Sequence, residues 1–454
     1  MGTSMPGSAL STGSPPPDVR ALFPALATPE VYLDSAATTQ KPRSVIRTVT
    51  DHHRRATANA GRGSYPWSSR LATRIAEIRA HTARFIGAAG SDEIVFTSGA
   101  TAALNAVALC WALPELRDGD RILFNPLDHA SNVLPWHHLR TLLARAGRRI
   151  ELVPYRTTPR GTADVDDIVA AAGPRTRLVT LSHLHHVYGG LTDVAALRAR
   201  LAPEVMLCLD CSQSGGHLPV DVRALGADFA VFAAHKMFGT PGTGVLYCAR
   251  RVHDRLLPFL PGGDTGVRLT DSGLESTGMP RLLEGGTPDI PGILALGSAL
   301  EVLDSLDRRV IAEHNRMLTR RIVDRLRPIP GIRFLPGAAH EFPWDGPVTG
   351  SAPHATPQPA PSRPTPAQPH ARPSSTLPAG YGIVSFTLDG IGSRDLGFVL
   401  AEHGFLVRTG AHCVPSRTPD SADDSVRVST HIYTTVEEID RFTTCVASIA
   451  EEIT

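Results

Sequence analysis

The sequence contains almost no lysine. Lys41 and Lys236 are the only two among 45 lysine and arginine residues in a chain of 454 residues. Arginine can replace lysine in most surface ion pairs, but a guanidinium stays protonated in proteins and cannot condense with a carbonyl group. A lysine that persists in such a chain is therefore a candidate for Schiff-base chemistry. The alternative is an ordinary surface residue, which is our interpretation of Lys41 before Pro42.

Other features are missing as well, and each absence argues against a class of protein. No apolar run reaches the length of a membrane span, and residues 1–18 lack the apolar core of a signal peptide. A formal net charge of +1 gives no reason to expect nucleic acid or a membrane as a partner. Six cysteines do not make a disulfide framework. We interpret Cys208 as a buried strand cysteine and Cys211 as its loop neighbour; a redox pair or a zinc half-site is the alternative, against which no second ligand pair appears. We expect a cytoplasmic protein without a metal site.

Apolar strand-like runs alternate with helical patterns over most of the chain, which predicts an α/β domain with a mainly parallel or mixed sheet. An amphipathic helix is predicted from Ser68 to Ile86, with Ser68 or Ser69 as its N-cap. A long helical region is predicted from Leu294 to Leu326. The predicted strands of the sheet are Glu93–Thr97, Arg121–Asn125, Arg149–Pro154, Arg177–Ser182, Val205–Asp210, Asp228–Phe232 and Gly244–Cys248.

Changes in composition suggest how the chain is divided. We expect a disordered tail over residues 1–24, a large domain over 25–300 and a smaller α+β domain over 301–454. Residues 347–378 are rich in proline with hardly a large apolar side chain, so they predict a disordered surface insertion, with a proline-rich docking site as the alternative. The predicted elements of the smaller domain are strands near Gly382–Leu388, Phe405–Val407 and Ser425–Ser429, and a final helix from Val436.

The surroundings of Lys236 suggest a phosphate-bearing cofactor. Lys236 follows the predicted strand that ends at Phe232, and ligands of α/β sheets gather at strand ends. Asp210 ends the preceding strand and can reach the same crevice, although a turn or helix cap is its ordinary role. Residues 98–101 join a strand to a helix, where free amides and the Thr101 hydroxyl can bind an anion. An amine, a carboxylate and an anion site are parts that a pyridoxal phosphate (PLP) site needs.

These motifs resemble those of the class V, fold-type I PLP enzymes, and within them the group II cysteine desulfurases and selenocysteine lyases. The likeness starts at Tyr32-Leu33-Asp34-Ser35-Ala36-Ala37-Thr38-Thr39-Gln40-Lys41-Pro42 and runs to the final helix, interrupted by the proline-rich insertion. It implies a fold-type I α/β transferase with a seven-stranded, mainly parallel sheet, a smaller C-terminal α+β domain, PLP as the cofactor and a homodimer.

The resemblance also implies residue roles. Lys236 would carry PLP covalently, Asp210 would pair with the ring nitrogen, and His129 would stack on the ring. The remaining cofactor contacts would come from Gln213 at the ring oxygen, from Ala100, Thr101 and His235 at the phosphate, and from Thr287 at the phosphate of the neighbouring subunit.

Two residues of the C-terminal unit indicate a desulfurase. Arg427 matches the family's arginine for the substrate carboxylate, which a planar guanidinium binds with two parallel hydrogen bonds. Cys413 matches the sulfur-accepting cysteine, and Arg408 and His412 would place positive charge beside its sulfur. In the implied reaction Lys236 removes the Cα proton of L-cysteine. Cys413 then takes the sulfur as a persulfide, L-alanine leaves, and an acceptor protein or thiol receives the sulfur.

Three positions depart from the family pattern. Ala233 stands where a serine usually helps to bind the phosphate, and His186 stands at the usual asparagine of the substrate contacts. The segment Ala60-Gly61-Arg62-Gly63-Ser64-Tyr65 lacks the usual histidines. These departures leave open a C–S lyase, selenocysteine lyase, epimerase or aminotransferase acting on a specialised amino acid, in which Cys413 is a bystander. A non-catalytic protein that kept the fold is a further alternative.

Overall fold

The computed structural model describes residues 19–336, 341–342, 377–378, 380–415 and 424–453, with only the backbone for 341–342 and 377–378. The strands, in chain order, are β1 (Val31–Tyr32), β2 (Ile94–Thr97), β3 (Arg121–Phe124), β4 (Glu151–Pro154), β5 (Thr176–Ser182), β6 (Met206–Asp210), β7 (Phe229–Ala233), β8 (Gly244–Cys248), β9 (Val267–Thr270), β10 (Gly273–Ser276), β11 (Ile332–Phe334), β12 (Glu341–Phe342), β13 (Leu377–Pro378), β14 (Ile383–Leu388), β15 (Phe405–Leu406), β16 (Arg408–Gly410) and β17 (Ser425–Ser429).

The α-helices are α1 (Arg43–Arg55), α2 (Pro66–Phe85), α3 (Ala100–Ala106), α4 (Leu113–Glu115), α5 (Leu134–Arg145), α6 (Val165–Ala171), α7 (Val194–Arg200), α8 (Ser214–His217), α9 (Ile290–Leu306), α10 (Arg308–Leu326), α11 (Ser393–Glu402) and α12 (Val436–Ile453). A π-helix, Val107–Ala112, joins α3 to α4. Short 3₁₀ helices complete the described elements, at Arg20–Leu22, Pro24–Leu26, Ser91–Glu93, Ala130–Asn132, Ala234–Lys236 and Arg250–Arg255. Among the described residues, no helix combines the length and the apolarity that a membrane span requires.

The predicted seven-stranded sheet is confirmed. Its strand order is β2-β8-β7-β6-β5-β3-β4, and β8 alone runs opposite to the other six strands. All five residues of β6 and all five of β7 are buried, as a sheet covered by helices on both faces requires. The chain therefore has the α/β architecture that the alternating apolar runs predict.

The sheet topology brings several chain segments to one edge. In parallel strands the carboxyl ends meet at the same edge, and Ser182 of β5 lies opposite Asp210 of β6. Strand β2 runs in the same direction as β7, because both are antiparallel to β8. The segments that follow β2, β3, β5, β6 and β7 consequently lie close together, and they carry the residues from Ser98 to Lys236 that the sequence singles out.

The C-terminal unit has its own sheet, of order β11-β14-β17-β16, with every pair antiparallel. Helices α10, α11 and α12 supply apolar side chains to its core. Val31 and Leu33 belong to this core as well, because β1 pairs in parallel with β15. The sequence division at residue 25 assigns that segment to the large domain, whereas its packing joins it to the smaller unit.

Three expectations differ from the structure. Helix α2 begins at Pro66 without a serine cap, because proline needs no amide partner in a first turn, and Ser68 Oγ instead accepts from Gly63 N at 2.9 Å. The long helical region breaks at Asp307, whose φ is +55°. Residues 19–24 of the predicted tail form 3₁₀ turns because Phe23 is buried against Phe238 and Tyr433. Residues 1–18, and the predicted insertion apart from 377–378, lie outside the described residues.

Candidate active site

A cavity of about 660 Å³ opens at the sheet edge where the strand ends gather. It is bounded by the large sheet on one side and by β16 and β17 of the C-terminal unit on the other. The predicted site residues that line it are Ala100, Thr101, His129, His186, Asp210, Gln213, His235, Lys236, Arg408, Cys413 and Arg427. Every predicted site residue except Thr287 is thus brought together by the fold.

Lys236 and Asp210 reach the cavity from neighbouring strands. Burial is the main cause that lowers the pKa of the Lys236 amine to about 8. A lowered pKa raises the fraction of neutral amine, the form that attacks a carbonyl carbon. Asp210 Oδ1 accepts a hydrogen bond from Ser212 N at 2.9 Å, which fixes the carboxyl group at the end of β6. The cavity therefore holds an amine suited to condensation and an anchored carboxylate.

His129 and Gln213 are also fixed in position. His129 Nδ1 accepts from Ser131 N at 3.1 Å, so the ring proton lies on Nε2. Burial, followed by the charge of Lys236, lowers the pKa of His129 to about 4 and keeps its ring neutral near pH 7. Gln213 donates through Nε2 to the carbonyl of Ala36 at 2.9 Å, which leaves its Oε1 buried without a partner among the described residues.

Gly99 forms the turn into the helical segment beneath one end of the cavity. Its φ is +141°, in the region that favours glycine. A Cβ at Gly244 would lie 2.6 Å from the Gly99 backbone, so the close approach of β8 to this turn requires glycine at position 244, whereas position 99 requires glycine for its backbone conformation. The Thr101 hydroxyl lies 2.7 Å from Ser131 Oγ. Amides at a helix start together with two hydroxyls can bind the oxygens of an anion.

Arg427 lies in the middle of β17 with only 2% of its surface exposed. Its Nη2 donates to Asp34 Oδ1 at 3.1 Å, and its Nη1 donates to the His186 carbonyl at 3.0 Å. Its Nε is buried and has no partner among the described residues. The guanidinium is therefore held in place by two acceptors and keeps a donor for a further anion.

Cys413 is presented on a strained turn. The φ of His412 is +52° and that of Cys413 is +63°, and two consecutive non-glycine residues rarely adopt this conformation. The turn is held because Ala130 N donates to the Cys413 carbonyl at 2.9 Å and His412 Nε2 contacts Ser425 Oγ at 2.9 Å. Cys413 is exposed, and Arg408 Nη2 lies 3.1 Å from its sulfur. Of the two predicted cationic neighbours, Arg408 contacts the sulfur, whereas His412 bonds to Ser425.

Thr287 lies apart from the other predicted residues. It is exposed and lines a second cavity of about 530 Å³, with Asn59 Nδ2 at 3.5 Å from its hydroxyl. The two cavities share Ser98, Ala102, Gly242 and Thr243 in their walls. Within one chain, Thr287 therefore does not reach the cavity that Lys236 lines.

The buried polar atoms around the first cavity provide a test of whether PLP fits it. Ser212 Oγ, Gln213 Oε1, His186 Nδ1 and Arg427 Nε are buried without a hydrogen-bond partner among the described residues. Unpaired buried polar atoms are costly, and a cluster of them around one cavity indicates a ligand with many polar atoms. The amine, the carboxylate, the imidazole face and the anion-binding turn match the parts of PLP, so these residues fit the group.

Comparison with known proteins assigns the family. The family model of class V aminotransferases matches residues 31–342 and 371–442. The chain belongs to the class V aminotransferase family. It is therefore a PLP-dependent enzyme, as the sequence motifs predict. Among its relatives are a probable cysteine desulfurase from Vibrio cholerae (32% identical) and a cysteine desulfurase from Klebsiella pneumoniae (34% identical), each aligned over 93% of this chain and 95% of the relative.

Solved structures of similar proteins have the same fold. The apo cysteine desulfurase from Thermococcus onnurineus is 26% identical, with a TM-score of 0.81 over 98% of this chain and all of that one. A cysteine desulfurase from Escherichia coli is 27% identical, with a TM-score of 0.78 over 96% and 98%. A cystine C–S lyase at 22% identity and a TM-score of 0.73, over 94% of this chain and 99% of that one, shows a likeness in fold alone.

Sequence reasoning missed two residues outside the cavity that bind residues of its wall. Asp34 forms the ion pair with Arg427, although nearly 400 residues separate them in the chain. Lys41, interpreted as a surface lysine, is half-buried and donates to the carbonyl of His235 at 3.1 Å, so that interpretation is wrong. Both residues belong to the segment Tyr32 to Pro42 that carries the family likeness, and this was the available signal.

Proposed function

We propose that this class V enzyme is a cysteine desulfurase that converts L-cysteine into L-alanine and transfers the sulfur to Cys413 as a persulfide. One observation carries the proposal: the exposed thiol of Cys413 lies on the wall of the cavity that Lys236 and Arg427 also line. An amine for the cofactor, a guanidinium for a carboxylate and a nucleophilic thiol are what this reaction requires. The names of the aligned relatives support the same reaction.

The residues that would hold the cofactor follow from the cavity. Lys236 would bind PLP covalently, Asp210 would pair with its ring nitrogen, and His129 would lie against its ring. When bound, PLP draws electrons from the substrate Cα and stabilises negative charge there. The remaining contacts would be Gln213 Oε1 to the ring oxygen and Ala100, Thr101 and His235 to the phosphate, although Ala233 offers no hydroxyl at the position where relatives usually carry serine.

The chain's own residues account for the remaining steps. Arg427 would bind the substrate carboxylate through its free Nε and through the donor now held by Asp34. Lys236, once its amine is free, would take the proton from Cα as the base. The Cys413 thiolate would form an S–S bond with the substrate sulfur as the Cβ–S bond breaks. The electron pair of the broken bond would remain with the carbon skeleton, which takes up a proton at Cβ, regains one at Cα from Lys236 and leaves as alanine.

We also propose that the enzyme is a cytoplasmic homodimer that passes its sulfur to an acceptor protein or thiol. The position of Thr287 supports the dimer, because this residue is exposed outside the chain's own cavity and is free to reach the phosphate of a second copy. The six cysteines are free thiols, which is usual in a reducing compartment. The exposure of Cys413 gives an acceptor access to the bound sulfur.

The proposed reaction has a direct chemical test. PLP-loaded protein is mixed briefly with L-cysteine without reductant. The mass of the tryptic peptide that contains Cys413 is then measured by mass spectrometry. We expect a gain of one sulfur atom on this peptide, and about one alanine for each sulfide released when a thiol is added. Pyruvate in place of alanine, with no added sulfur on Cys413, would show a β-elimination lyase instead.

His186 offers a second test, because it joins the substrate side of the cavity to the Cys413 turn. Its Nε2 lies 3.0 Å from the His412 carbonyl, and a carbonyl oxygen only accepts, so His186 donates this bond. Burial holds the pKa of His186 well below its usual range, so the ring is neutral. The family's usual asparagine has a shorter side chain, which we expect to fall short of His412.

We predict that His186→Asn slows sulfur transfer to Cys413 about tenfold, since losing one bond to a buried carbonyl costs about 1 kcal/mol or more. The Michaelis constant for cysteine should change little, because Arg427 bonds to the backbone of His186. Rapid-quench measurement of persulfide formation checks the rate, and steady-state kinetics check KM. A raised KM with an unchanged transfer rate would place His186 on the substrate rather than on the turn.

A further inference from the structure

The segment Thr38–Lys41 binds the backbone of the turn that carries Lys236. The carbonyl oxygen of His235 lies 3.0 to 3.1 Å from four donors: the amide and hydroxyl of Thr39, the hydroxyl of Thr38 and the amine of Lys41. This carbonyl belongs to the peptide group directly before Lys236. One short segment therefore fixes the orientation of the peptide from which the Lys236 side chain departs.

The same segment holds a strained residue on the other side of Lys236. Phe238 has a φ of +65°, which non-glycine residues rarely adopt. Its amide donates to Thr39 Oγ1 at 3.0 Å, and its ring packs edge-on against Phe23. Backbone strain of this kind persists only where surrounding contacts hold it. The Lys236 turn is thus held from both ends, at His235 and at Phe238.

Lys41 joins the parts of this arrangement through a single atom. Its Nζ donates to the hydroxyl of Thr38 at 3.2 Å and to the carbonyls of Thr39 and His235. An ammonium has three donors arranged around one nitrogen, whereas a guanidinium distributes its donors over a planar fork. Three acceptors that converge on one point fit lysine and not arginine. This geometry explains why lysine persists here in a chain that otherwise uses arginine.

We infer that Lys41 is a positioning residue that orients Lys236 for its bond to the cofactor. The inference rests on the proposed role of Lys236 and adds to it the residue that holds the backbone of Lys236 in place. Lys41 itself does not line the cavity, so it acts through the His235 carbonyl and through the Thr38–Thr39 backbone. Its contribution lies in geometry and not in charge alone.

The test compares Lys41→Arg, which keeps the charge, with Lys41→Met, which keeps the length and apolar stem. Arg47→Met serves as the matched control, because Arg47 is an exposed cation on the neighbouring helix α1. Each protein is loaded with PLP, and the loss of visible absorbance is followed after dilution into a PLP scavenger. Thermal unfolding of the cofactor-free proteins reports on general stability.

We expect both Lys41 variants to lose PLP about tenfold faster or more than wild type, with a shifted visible maximum, while Arg47→Met matches wild type. A Lys41→Arg protein that keeps PLP and the wild-type absorbance would overturn the inference. The inference would also be overturned if the Lys41 variants lost thermal stability but kept the wild-type visible band. That result would show that Lys41 stabilises the fold in general and does not orient Lys236. The visible absorbance of bound PLP is measured without cysteine turnover, so the result does not depend on whether the enzyme is a desulfurase. If Lys236 is not the lysine that binds PLP, PLP will instead be found attached covalently to another residue.

Discussion

Lys236→Arg protein is expected to be colourless and inactive. Arginine keeps the positive charge but cannot form the covalent bond to PLP, and it also removes the proposed base. Loss of a base alone typically costs 10²–10⁴ in rate, so we expect turnover of cysteine to fall by at least about 10⁴-fold. Visible absorbance of the purified protein and alanine production are the two measurements. Circular dichroism must show that the Lys236→Arg protein is folded, because an unfolded variant would also be colourless and inactive.

The scarcity of lysine makes the covalent site easy to map. A lysine-specific protease can cut this chain only after Lys41 and Lys236. Reduction of the PLP-loaded wild type with borohydride should fix the cofactor on Lys236 and abolish cleavage between residues 236 and 237. Cleavage after Lys236 in the unreduced protein serves as the control, because Lys41 precedes Pro42 and proteases cut Lys–Pro bonds poorly. A yellow Lys236→Arg protein, or an adduct at Lys41, would contradict the assignment of the cofactor lysine.

Cys413→Ala should separate the desulfurase from a lyase or aminotransferase. We expect the variant to bind PLP and cysteine as wild type does, because Lys236, Asp210 and Arg427 are unchanged. Release of sulfur as sulfide should fall by at least about 10²-fold, since water cannot replace a thiolate held at high effective concentration beside the substrate sulfur. Sulfide release under single-turnover conditions measures the effect.

The matched control is Cys445→Ala, which removes a half-buried thiol on α12. We expect this variant to keep wild-type activity, so that a loss in Cys413→Ala is specific to the turn beside Arg408. If Cys413→Ala retains most of its sulfide production, sulfur leaves without an enzyme thiol. In that case a β-elimination lyase becomes the better assignment. Transamination without sulfur release would instead indicate an aminotransferase.

Local patterns predicted most of the fold. The strands of the large sheet appear in the sequence as short apolar runs, and Gly244–Cys248 was predicted to the residue. Helix starts were less accurate, since a serine near Pro66 looks like a cap whether or not its hydroxyl is used elsewhere. The break at Asp307 was also missed, because the helical periodicity continues through it. Periodicity reports which residues are buried, but it does not report where a backbone turns.

For the site, as for the fold, local patterns predict some features and miss others. The amine, the carboxylate and the anion-binding turn can be located from local sequence, because each follows a strand and parallel strands bring their carboxyl ends to one edge. The rarity of lysine identifies Lys236, whereas the position of Lys41 before Pro42 resembles that of a surface residue.

The partners of these residues depend on tertiary packing. Asp34 meets Arg427, His186 meets His412, and Lys41 meets His235 across separations of about 200 residues or more. Such contacts depend on how the C-terminal unit and the Thr38–Lys41 segment pack against the large sheet, and no local pattern in a single sequence encodes that packing. The sequence thus determined the chemical groups of this enzyme, and the fold determined which of them hold one another in place.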